Sequence, residues 1–402
     1  MILPLVIYRS LRQHALSTLV TAGSIALASG LLMTVWMVKS QAQSAFTRTT
    51  TTFDAVLGAR GSKLQLVLNA IFHLEASPGN LDQADYLYIK RHPLVKAAIP
   101  IAVGDNLRGF RLVGTLAEMF TDVEIAPGKK CELEAGGRLF TANAKEAVAG
   151  SFAAAKLGLK IGDTFHPFHG LTFEPNGEQH PDLYTVVGVL QPTNTPADRV
   201  IWIPLHGVQT MSGHDPKYAT QVSAVLVQLR TPTAGFLLDL MYNRQGNRLT
   251  FAWPVAAILA DLFDKIGWFD RVLTLVAYLV ALVAAASVLA SIYNSMSARR
   301  RDIAILRALG ARRRTIFGAV VSESACIGAL GAAAGFAVYL ILFTAVAAVI
   351  REQTGVVLDL RAGGRILWLC PAGMIALCAL GGIVPAIKAY RTPVAETLAP
   401  VS

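Results

Sequence analysis

The chain has 402 residues, of which 53% are hydrophobic, and its mean hydropathy of +0.49 is typical of a membrane protein. Its formal net charge is +10, yet the 21 basic and 21 acidic side chains of residues 39–270 cancel. The excess lies in an N-terminal arm, a short arginine-rich loop and the C-terminal tail, which is typical of cytoplasmic loops and argues against nucleic-acid binding. Four cysteines, of which only Cys131 lies in the neutral segment, exclude a disulfide framework in that segment.

The N-terminal region predicts an amphipathic elbow followed by a membrane span. Residues 1–16 place Arg9 and Arg12 among apolar positions, which favours a short helix on the cytoplasmic face. Ala15–Val38 then runs for 24 residues without a charge, and we assign transmembrane helix 1 to 17–38. A cleaved signal peptide is the alternative, but its apolar region is about 7–15 residues long, so we expect this helix to be retained.

Residues 39–270 have the composition of a globular domain outside the membrane. Runs of apolar and β-branched residues predict strands at Thr52–Ala59, Val95–Val103, Phe110–Leu116, Ala147–Ala149, Tyr184–Leu190, Val200–Ile203 and Ser223–Leu229. A helix capped by Asn80 should extend to about Arg91, and another should cover Phe152–Leu157, with Gly158–Phe165 as a further strand. This mixture predicts an α+β domain of two lobes.

The two ends of this domain predict a stalk that lifts it off the bilayer. The polar segment Lys39–Thr52 follows the first span, and Pro254–Phe269 has the pattern of an amphipathic helix that leads directly into the second span.

An arginine-rich loop separates the second and third predicted spans. Val272–Ala298 and Ser324–Ile350 each hold 27 residues without a charge, and about 20 suffice to cross a bilayer. Residues 299–314, which follow the first of these runs, carry seven arginines and one acid, which keeps this loop on the cytoplasmic side. One helix face would carry Ile303, Leu306 and Leu309. We expect a short amphipathic helix that ends at Gly310; the alternative is a solvated basic loop that only sets the topology.

The loop sequence Arg300-Arg-Asp-Ile-Ala-Ile-Leu-Arg-Ala-Leu-Gly-Ala311, followed by Thr315-Ile-Phe317, resembles the signature of the FtsX-like permease family. This family includes MacB-type and LolC/LolE-type ABC transporter subunits, and Asp302 stands where it usually has glutamate. The resemblance implies that the loop docks onto an ATPase. The residues implied in coupling are Arg300, Arg301, Asp302, Ile303, Leu306, Arg307, Leu309 and Gly310.

The remaining apolar runs predict two further spans. The third span contains Glu323, which we expect to be paired or near the headgroups; a proton or ion relay is the alternative. Gly328, Gly331 and Gly335 lie on one predicted face, and Gly331-Ala-Ala-Ala-Gly335 is a motif that permits close helix packing.

The order of one span, a large outer domain and three spans is that of FtsX-like permeases. The segment Ala147-Val-Ala-Gly-Ser151, with Lys156-Leu-Gly-Leu-Lys-Ile-Gly-Asp-Thr-Phe165, resembles the extracytoplasmic domain of MacB-type permeases. The expected fold is therefore a membrane protein with four transmembrane α-helices and a large extracytoplasmic α+β domain, a MacB-like periplasmic core, between helices 1 and 2. The predicted segments are 1–16 elbow, 17–38 helix 1, 39–270 outer domain with stalks, 271–296 helix 2, 297–314 coupling helix and loop, 315–350 helix 3, 351–365 outer loop, 366–388 helix 4 and 389–402 cytoplasmic tail.

The resemblance also implies partners and a compartment. No Gly-x-x-x-x-Gly-Lys-Ser/Thr motif occurs in the sequence, so ATP and magnesium are expected on a separate cytoplasmic ABC ATPase, and the chain itself is not expected to be an enzyme. The family further implies a homodimer in the lipid of the bacterial inner membrane, with both termini cytoplasmic and the large domain periplasmic. A periplasmic adaptor or substrate-binding protein is a possible further partner, and nucleic acid is not. Mechanotransmission from the ATPase to the periplasmic domain is the implied mode of action, and the substrate stays open.

Histidines are concentrated in the outer domain, which holds seven of the eight. His166-Pro-Phe-His169, with His180 eleven residues further on, supplies imidazoles that could bind zinc or copper. A polar loop without a metal is the alternative, and Pro167 limits helical ligation by the pair.

Two further functions stay open at this point. The chain could be an FtsX-like signalling subunit that regulates a periplasmic partner without transport. It could also be a component of a zinc-linked ABC system.

Overall fold

The computed structural model describes residues 8–383 and 386–387, apart from 10, 14, 51, 127–128, 299–309, 355–356 and 361–362. Residues 1–7 of the predicted elbow and the predicted tail 389–402 lie outside the described residues. So do seven of the eight residues implied in ATPase coupling, namely Arg300, Arg301, Asp302, Ile303, Leu306, Arg307 and Leu309.

The chain divides into two compact units. The helical unit comprises residues 1–41, 267–348 and 359–402, and the outer unit comprises residues 42–266 and 349–358. The described α-helices are α1 (Ala15–Thr50), α2 (Lys63–Ala70), α3 (Gln83–Lys90), α4 (Glu118–Thr121), α5 (Ser151–Leu157), α6 (Leu205–Gln209), α7 (Pro232–Asp239), α8 (Val255–Ala298), α9 (Arg313–Thr354) and α10 (Ile366–Gly381). Pro196–Arg199 and Pro216–Thr220 are short 3-10 helices, and Leu240–Gln245 is a π-helix.

Long apolar helices dominate the helical unit. Among the described residues, Ala15–Gln41 and Arg314–Gln353 are long and apolar enough to cross a membrane, and α10 is a shorter apolar helix. The uncharged run Val272–Ala298 lies within α8. Within the fourth predicted span, 366–388, α10 covers Ile366–Gly381, and Ile383, Ala386 and Ile387 are also helical. The count of four spans stays a prediction.

A ten-stranded mixed sheet forms the centre of the outer unit. Its strand order is β14-β1-β13-β3-β4-β11-β7-β10-β8, and β9 pairs with β3. The strands are β1 (Ala55–Ala59), β2 (Leu81–Asp82), β3 (Val95–Leu107), β4 (Phe110–Thr115), β5 (Glu124–Ala126), β6 (Lys129–Lys130), β7 (Glu146–Ala149), β8 (Thr164–Phe165), β9 (Phe168–His169), β10 (Tyr184–Val189), β11 (Ile201–Pro204), β12 (Gln221–Val222), β13 (Ala224–Leu229) and β14 (Leu249–Ala252). The strands expected near β1, β3, β4, β7, β10, β11 and β13 are thereby confirmed.

Strand β3 connects the two halves of this sheet. Its first half, Val95–Ile101, pairs with β13, and its second half, Ala102–Leu107, pairs with β4. The two lobes expected from the sequence are therefore joined in one hydrogen-bonded sheet within one compact unit.

Both faces of the sheet are covered by apolar side chains. Ile201 and Ile203 contribute to one buried cluster, whereas Trp202, between them on β11, contributes to the other. A strand buried on both faces has apolar residues at successive positions and does not alternate with polar ones. The sequence could therefore indicate the strands, but not which face of the sheet each side chain lies on.

The prediction of a strand at Gly158–Phe165 was wrong over most of this segment. Gly158 has a φ of +70° and ends α5 in the left-handed conformation. The backbone N–H of Lys160 then donates to Oδ2 of Asp163 at 2.8 Å, which closes a turn, so that only Thr164–Phe165 is extended. Local glycine and aspartate geometry outweighs the apolar alternation here.

The helix expected from an Asn80 cap begins later. Its N-cap is Asp82, and α3 starts at Gln83. Because β2 pairs with β12, the residues that would have formed the first turn lie in a short two-stranded ladder instead.

Candidate metal centre

Four side chains from distant parts of the outer unit converge on one point. We call them the histidine–aspartate group: Asp105, His169, His180 and His214. One potential metal-ligating atom of each lies within 4.8 Å of those of the other three. These are the donor types that zinc and related transition metals prefer.

A β-bulge places the carboxylate. Between Val103 and Asn106, β3 contains one more residue than the facing segment of β4, so the regular pairing is interrupted at Gly104–Asp105. Bulges redirect side chains and are common beside functional sites. On the other edge of β3, Asp105 is paired with His169 of β9, which brings the first imidazole to the carboxylate.

The second imidazole comes from the loop that β9 begins. The backbone N–H of His169 donates to the carbonyl of Glu178 at 2.9 Å, and that of His180 donates to the carbonyl of Pro167 at 2.9 Å. These two bonds fold the loop back on itself. His169 and His180, eleven residues apart in sequence, therefore lie side by side.

The third imidazole follows helix α6. The backbone N–H of His214 donates to the carbonyl of Met211 at 3.2 Å, and the intervening Gly213 adopts a φ of +92°. Such a φ favours glycine, and it lets the turn direct His214 towards Asp105. His180 is buried, and Asp105 is fully buried.

Three of the six donor-atom separations in the histidine–aspartate group are close to the edges of a tetrahedral site, and all six are within 4.8 Å. Oδ1 of Asp105 lies 3.1 Å from Nε2 of His180, 3.2 Å from Nε2 of His214 and 3.7 Å from Nδ1 of His169. Nδ1 of His169 lies 3.4 Å from Nε2 of His180. Zinc–ligand bonds of about 2.0–2.1 Å imply tetrahedral edges of about 3.3 Å, close to these values.

Backbone carbonyls fix the orientation of two of the rings. Nδ1 of His180 lies 2.6 Å from the carbonyl oxygen of Ser212, and Nδ1 of His214 lies 3.0 Å from that of Val208. A carbonyl only accepts, so each Nδ1 carries the proton. In a neutral ring Nε2 is then unprotonated, and its lone pair faces Oδ1 of Asp105. Metal-binding histidines are commonly oriented by this kind of outer contact.

The same arrangement affects proton binding. Hydrogen bonding to Asp105 raises the pKa of both His180 and His214, although burial opposes the shift. Burial would raise the pKa of Asp105, but the hydrogen bonds from these two rings outweigh it and lower that pKa. Protons and a metal ion would therefore compete for the same Nε2 lone pairs.

A surface cleft gives access to the histidine–aspartate group. Its volume is about 370 Å³, and His169, His214, Tyr218 and Ser223 contribute to its lining. The side chain of His169 is 54% exposed, so this ligand lies at the boundary with solvent.

The sequence prediction named only part of this group. His169 and His180 come together, whereas His166 is not a member: its Nδ1 donates to the carbonyl oxygens of His180 and Asp182, each at 3.1 Å. Ligation by His166 stays a prediction. Asp105 and His214 were missed because no local spacing links them to the other ligands; the concentration of histidines in residues 39–270 was the available signal.

The other predicted functional residues lie in or near the helical unit. Gly310 adopts a φ of +96° in a turn. A Cβ atom at Gly331 would lie 2.6 Å from Cβ of Ile25, and one at Gly335 would lie 3.2 Å from the carbonyl oxygen of Ala26, so both glycines face α1. Gly328 instead faces α10.

Comparisons with known proteins agree with the resemblance stated above. A family model described as "FtsX-like permease C-terminal" matches residues 274–394, and one described as "MacB-like periplasmic core domain" matches residues 15–234. No curated protein matches significantly.

Two solved structures are each similar to about half of the chain. The extracellular domain of the noncanonical ABC-type transporter YknZ from Gram-positive bacteria is 19% identical, with 49% of this chain and 98% of that one covered and a TM-score of 0.30. The periplasmic region of MacB from Actinobacillus actinomycetemcomitans is 11% identical, with 53% and 95% covered and a TM-score of 0.34.

The two family models follow one another along the chain, and the MacB-like model alone matches more than half of its residues. The predicted family is thereby confirmed. Members of this family are membrane-embedded, typically non-catalytic permease subunits with a periplasmic domain, and the family implies an ABC ATPase partner. The chain belongs to the FtsX-like ABC transporter permeases that carry a MacB-like periplasmic core domain.

Proposed function

We propose that this chain couples ATP hydrolysis by a separate cytoplasmic ATPase to movement of its outer unit, and so exports or extracts a substrate at the outer face of the inner membrane. The observation that supports this coupling is the length of two helices. Helix α1 has 36 residues and α8 has 44, which correspond to about 54 Å and 66 Å. A bilayer core is only about 30 Å thick, so both helices are long enough to transmit a displacement beyond it.

The coupling requires a defined set of partners. The chain acts as a homodimer with two ATPase subunits, which bind ATP and magnesium, while this chain performs no chemistry itself. Both termini and the arginine-rich loop face the cytoplasm, and four helices cross the membrane. A periplasmic adaptor or substrate-binding protein completes the pathway. The uncharged character of Val272–Ala298 and Ser324–Ile350 supports work done by the outer unit in preference to a polar channel through these helices.

The first experiment is a pull-down of the full-length chain from native membranes in mild detergent, with mass spectrometry of the co-purifying proteins. We expect a stoichiometric ABC ATPase. Recovery of the chain as a stable dimer without an ATPase would contradict the proposal. A co-purifying cell-wall hydrolase, with no measurable substrate flux, would favour the signalling alternative.

The second experiment tests the coupling helix in residues 297–314. Leu306→Asp places a charge on the apolar face that includes Ile303 and Leu309, and we expect loss of ATPase co-purification and of permease-dependent ATP hydrolysis. Ala308→Asp introduces the same charge about half a turn away from that face and should retain both. Immunoblots should show equal membrane levels of the two variants. Full ATPase association in Leu306→Asp would reject docking through this helix.

The histidine–aspartate group supports a second candidate function. A site built from three imidazoles and one carboxylate on the outer unit suits a component of a metal-linked ABC system. Co-purification of a periplasmic metal-binding protein in the first experiment would favour this candidate. Unchanged metal content in cells that lack the chain would count against it.

A further inference from the structure

We propose that Asp105, His169, His180 and His214 bind one zinc ion in a tetrahedral site on the outer unit, with His169 as the exchangeable ligand. The proposal concerns the histidine–aspartate group itself and does not depend on how the chain is coupled to an ATPase.

The separations between the donor atoms suit zinc. Three of the six donor-atom separations, 3.1, 3.2 and 3.4 Å, match the edges of a zinc tetrahedron to within about 0.3 Å. The fourth separation, between His169 and Asp105, is 3.7 Å. A small movement of the half-exposed His169 would close it.

The lone pairs of the group call for a positive charge at its centre. The Nδ1 protons of His180 and His214 are directed to the carbonyls of Ser212 and Val208, so both Nε2 lone pairs point at Oδ1 of Asp105. These two nitrogen lone pairs and the lone pair of Oδ1 face one another, and they repel each other unless a positive charge lies among them. Oδ2 of Asp105 is also buried, and among the described residues it has no hydrogen-bond partner. A divalent cation satisfies this set at a pH where the rings are neutral.

Hydrogen bonds and an ion pair hold the residues around His180 in place. Oδ2 of Asp182 accepts a hydrogen bond from the backbone N–H of Ser212 at 2.8 Å, which fixes the residue whose carbonyl orients His180. Asp182 is itself buried and forms an ion pair with Lys145. Preorganised sites of this kind bind metal tightly because few groups must be ordered on binding.

The four side chains of the group differ in their exposure to solvent. The side chains of Asp105 and His180 are 0% and 4% exposed, that of His214 is 13% exposed, and that of His169 is 54% exposed. His169 also lines the cleft beside the group. It is therefore the ligand that can leave without unfolding its surroundings, and a water molecule can take its place.

The test uses the full-length chain in detergent, without a polyhistidine tag, after removal of metal by a chelator. Zinc is titrated against a fluorescent competitor, and bound zinc per chain is measured by mass spectrometry of the metal. We expect one equivalent with a Kd below about 1 µM. Substitution of zinc by cobalt should give the visible absorption bands of a tetrahedral site. Absence of stoichiometric binding, or an octahedral cobalt spectrum, would overturn the proposal.

Variants assign the ligands. His180→Ala and His214→Ala should each weaken zinc binding at least about 100-fold, whereas His206→Ala, which removes an exposed histidine outside the group, should have no effect. Equal loss in the control, or wild-type affinity in either ligand variant, would reject the assignment. Since a buried variant can misfold, the cobalt spectrum of the wild-type chain is the independent measurement.

The exchangeable ligand is tested by His169→Ala. We expect this variant to keep one equivalent of zinc with a smaller loss of affinity than His180→Ala, and to release zinc to a chelator faster than the wild type. Cobalt bands should persist with altered intensity because water completes the site. A loss as large as that of His180→Ala, or an unchanged release rate, would refute this role.

Discussion

Nε2 of His180 lies 3.1 Å from Oδ1 of Asp105, although 75 positions of sequence separate the two residues. The contact joins β3 to the loop that β9 begins, and the same carboxylate oxygen lies 3.2 Å from His214 in the turn after α6. A metal ion at this point would therefore connect three segments of the outer unit.

Asp105→Asn tests the charge of this carboxylate while keeping its shape. We expect zinc to raise the thermal unfolding midpoint of the wild-type chain, since a ligand at about 100 times its Kd adds about 2.7 kcal/mol of stability. The variant should show little or no increase because the negative ligand is gone. Differential scanning fluorimetry with zinc and with chelator measures both. An equal zinc-induced increase in the variant would show that Asp105 is not a ligand.

Asp182→Asn tests how the site is held in place. The change weakens the ion pair with Lys145 and the support of Ser212, whose carbonyl orients His180. We expect zinc affinity to fall by about 10-fold or more, with the stoichiometry still one per chain. Asp215→Asn is the matched control, since Asp215 is half-exposed and pairs with Lys217. If both variants bind zinc like the wild type, Asp182 has no positioning role.

Gly331→Ala tests close packing between α9 and α1. The new Cβ atom would lie 2.6 Å from Cβ of Ile25 and 2.9 Å from the carbonyl oxygen of Ala22, so one helix must move. Overpacking of this kind destabilises by about 1–3 kcal/mol. Gly318→Ala is the control, because among the described residues nothing lies within 4 Å of its Cβ position. It should be neutral or gain up to about 1 kcal/mol from helix propensity.

Thermal unfolding in detergent compares the two glycine variants. A lower midpoint for Gly331→Ala than for Gly318→Ala is the expected result. Equal midpoints would mean that the helices adjust to the extra methyl group without loss of stability.

His73 should make the outer unit sensitive to acid. Burial and the neighbouring Arg111 guanidinium lower the pKa of His73 from 6.5 to about 3, and its ring contacts Trp202 edge-on. The folded state therefore keeps the ring neutral while the unfolded chain gains a proton below pH 6.5. Stability attributable to this residue is complete above pH 6.5 and decreases as the pH falls, by about 2 kcal/mol at pH 5.

His73→Asn isolates this contribution because asparagine does not titrate and tolerates the φ of +55° found at this position. Unfolding midpoints at pH 7 and pH 5, with chelator present in all samples, should fall further for the wild type than for the variant. The comparison cancels titration of the histidine–aspartate group, which is common to both chains. Identical decreases would show that His73 is not protonated on unfolding in this range.

Local sequence pattern was sufficient to predict the family, the apolar helices and most strands of the central sheet. Apolar runs of about 27 residues and the arginine-rich loop are recognised from consecutive residues. Contacts with distant parts of the chain are not needed to predict them. β-branched runs such as that of β13 indicate strands for the same reason.

Local pattern misled where glycine and side-chain hydrogen bonds set the backbone. Gly158–Phe165 alternates like a strand, yet the left-handed Gly158 and the contact between Lys160 and Asp163 form a turn. The alternation of apolar and polar residues along a segment contains no information about these backbone angles.

Tertiary structure alone decided the composition of the histidine–aspartate group. The sequence placed His166, His169 and His180 together because they are neighbours in the chain, but the fold brings Asp105 and His214 to His169 and His180. A bulge in β3 and a turn after α6 bring in these two residues, and neither feature has a spacing that links it to the loop of residues 166–180. A metal site depends on distances of a few ångströms between atoms, and for residues far apart in sequence those distances are set by strand pairing.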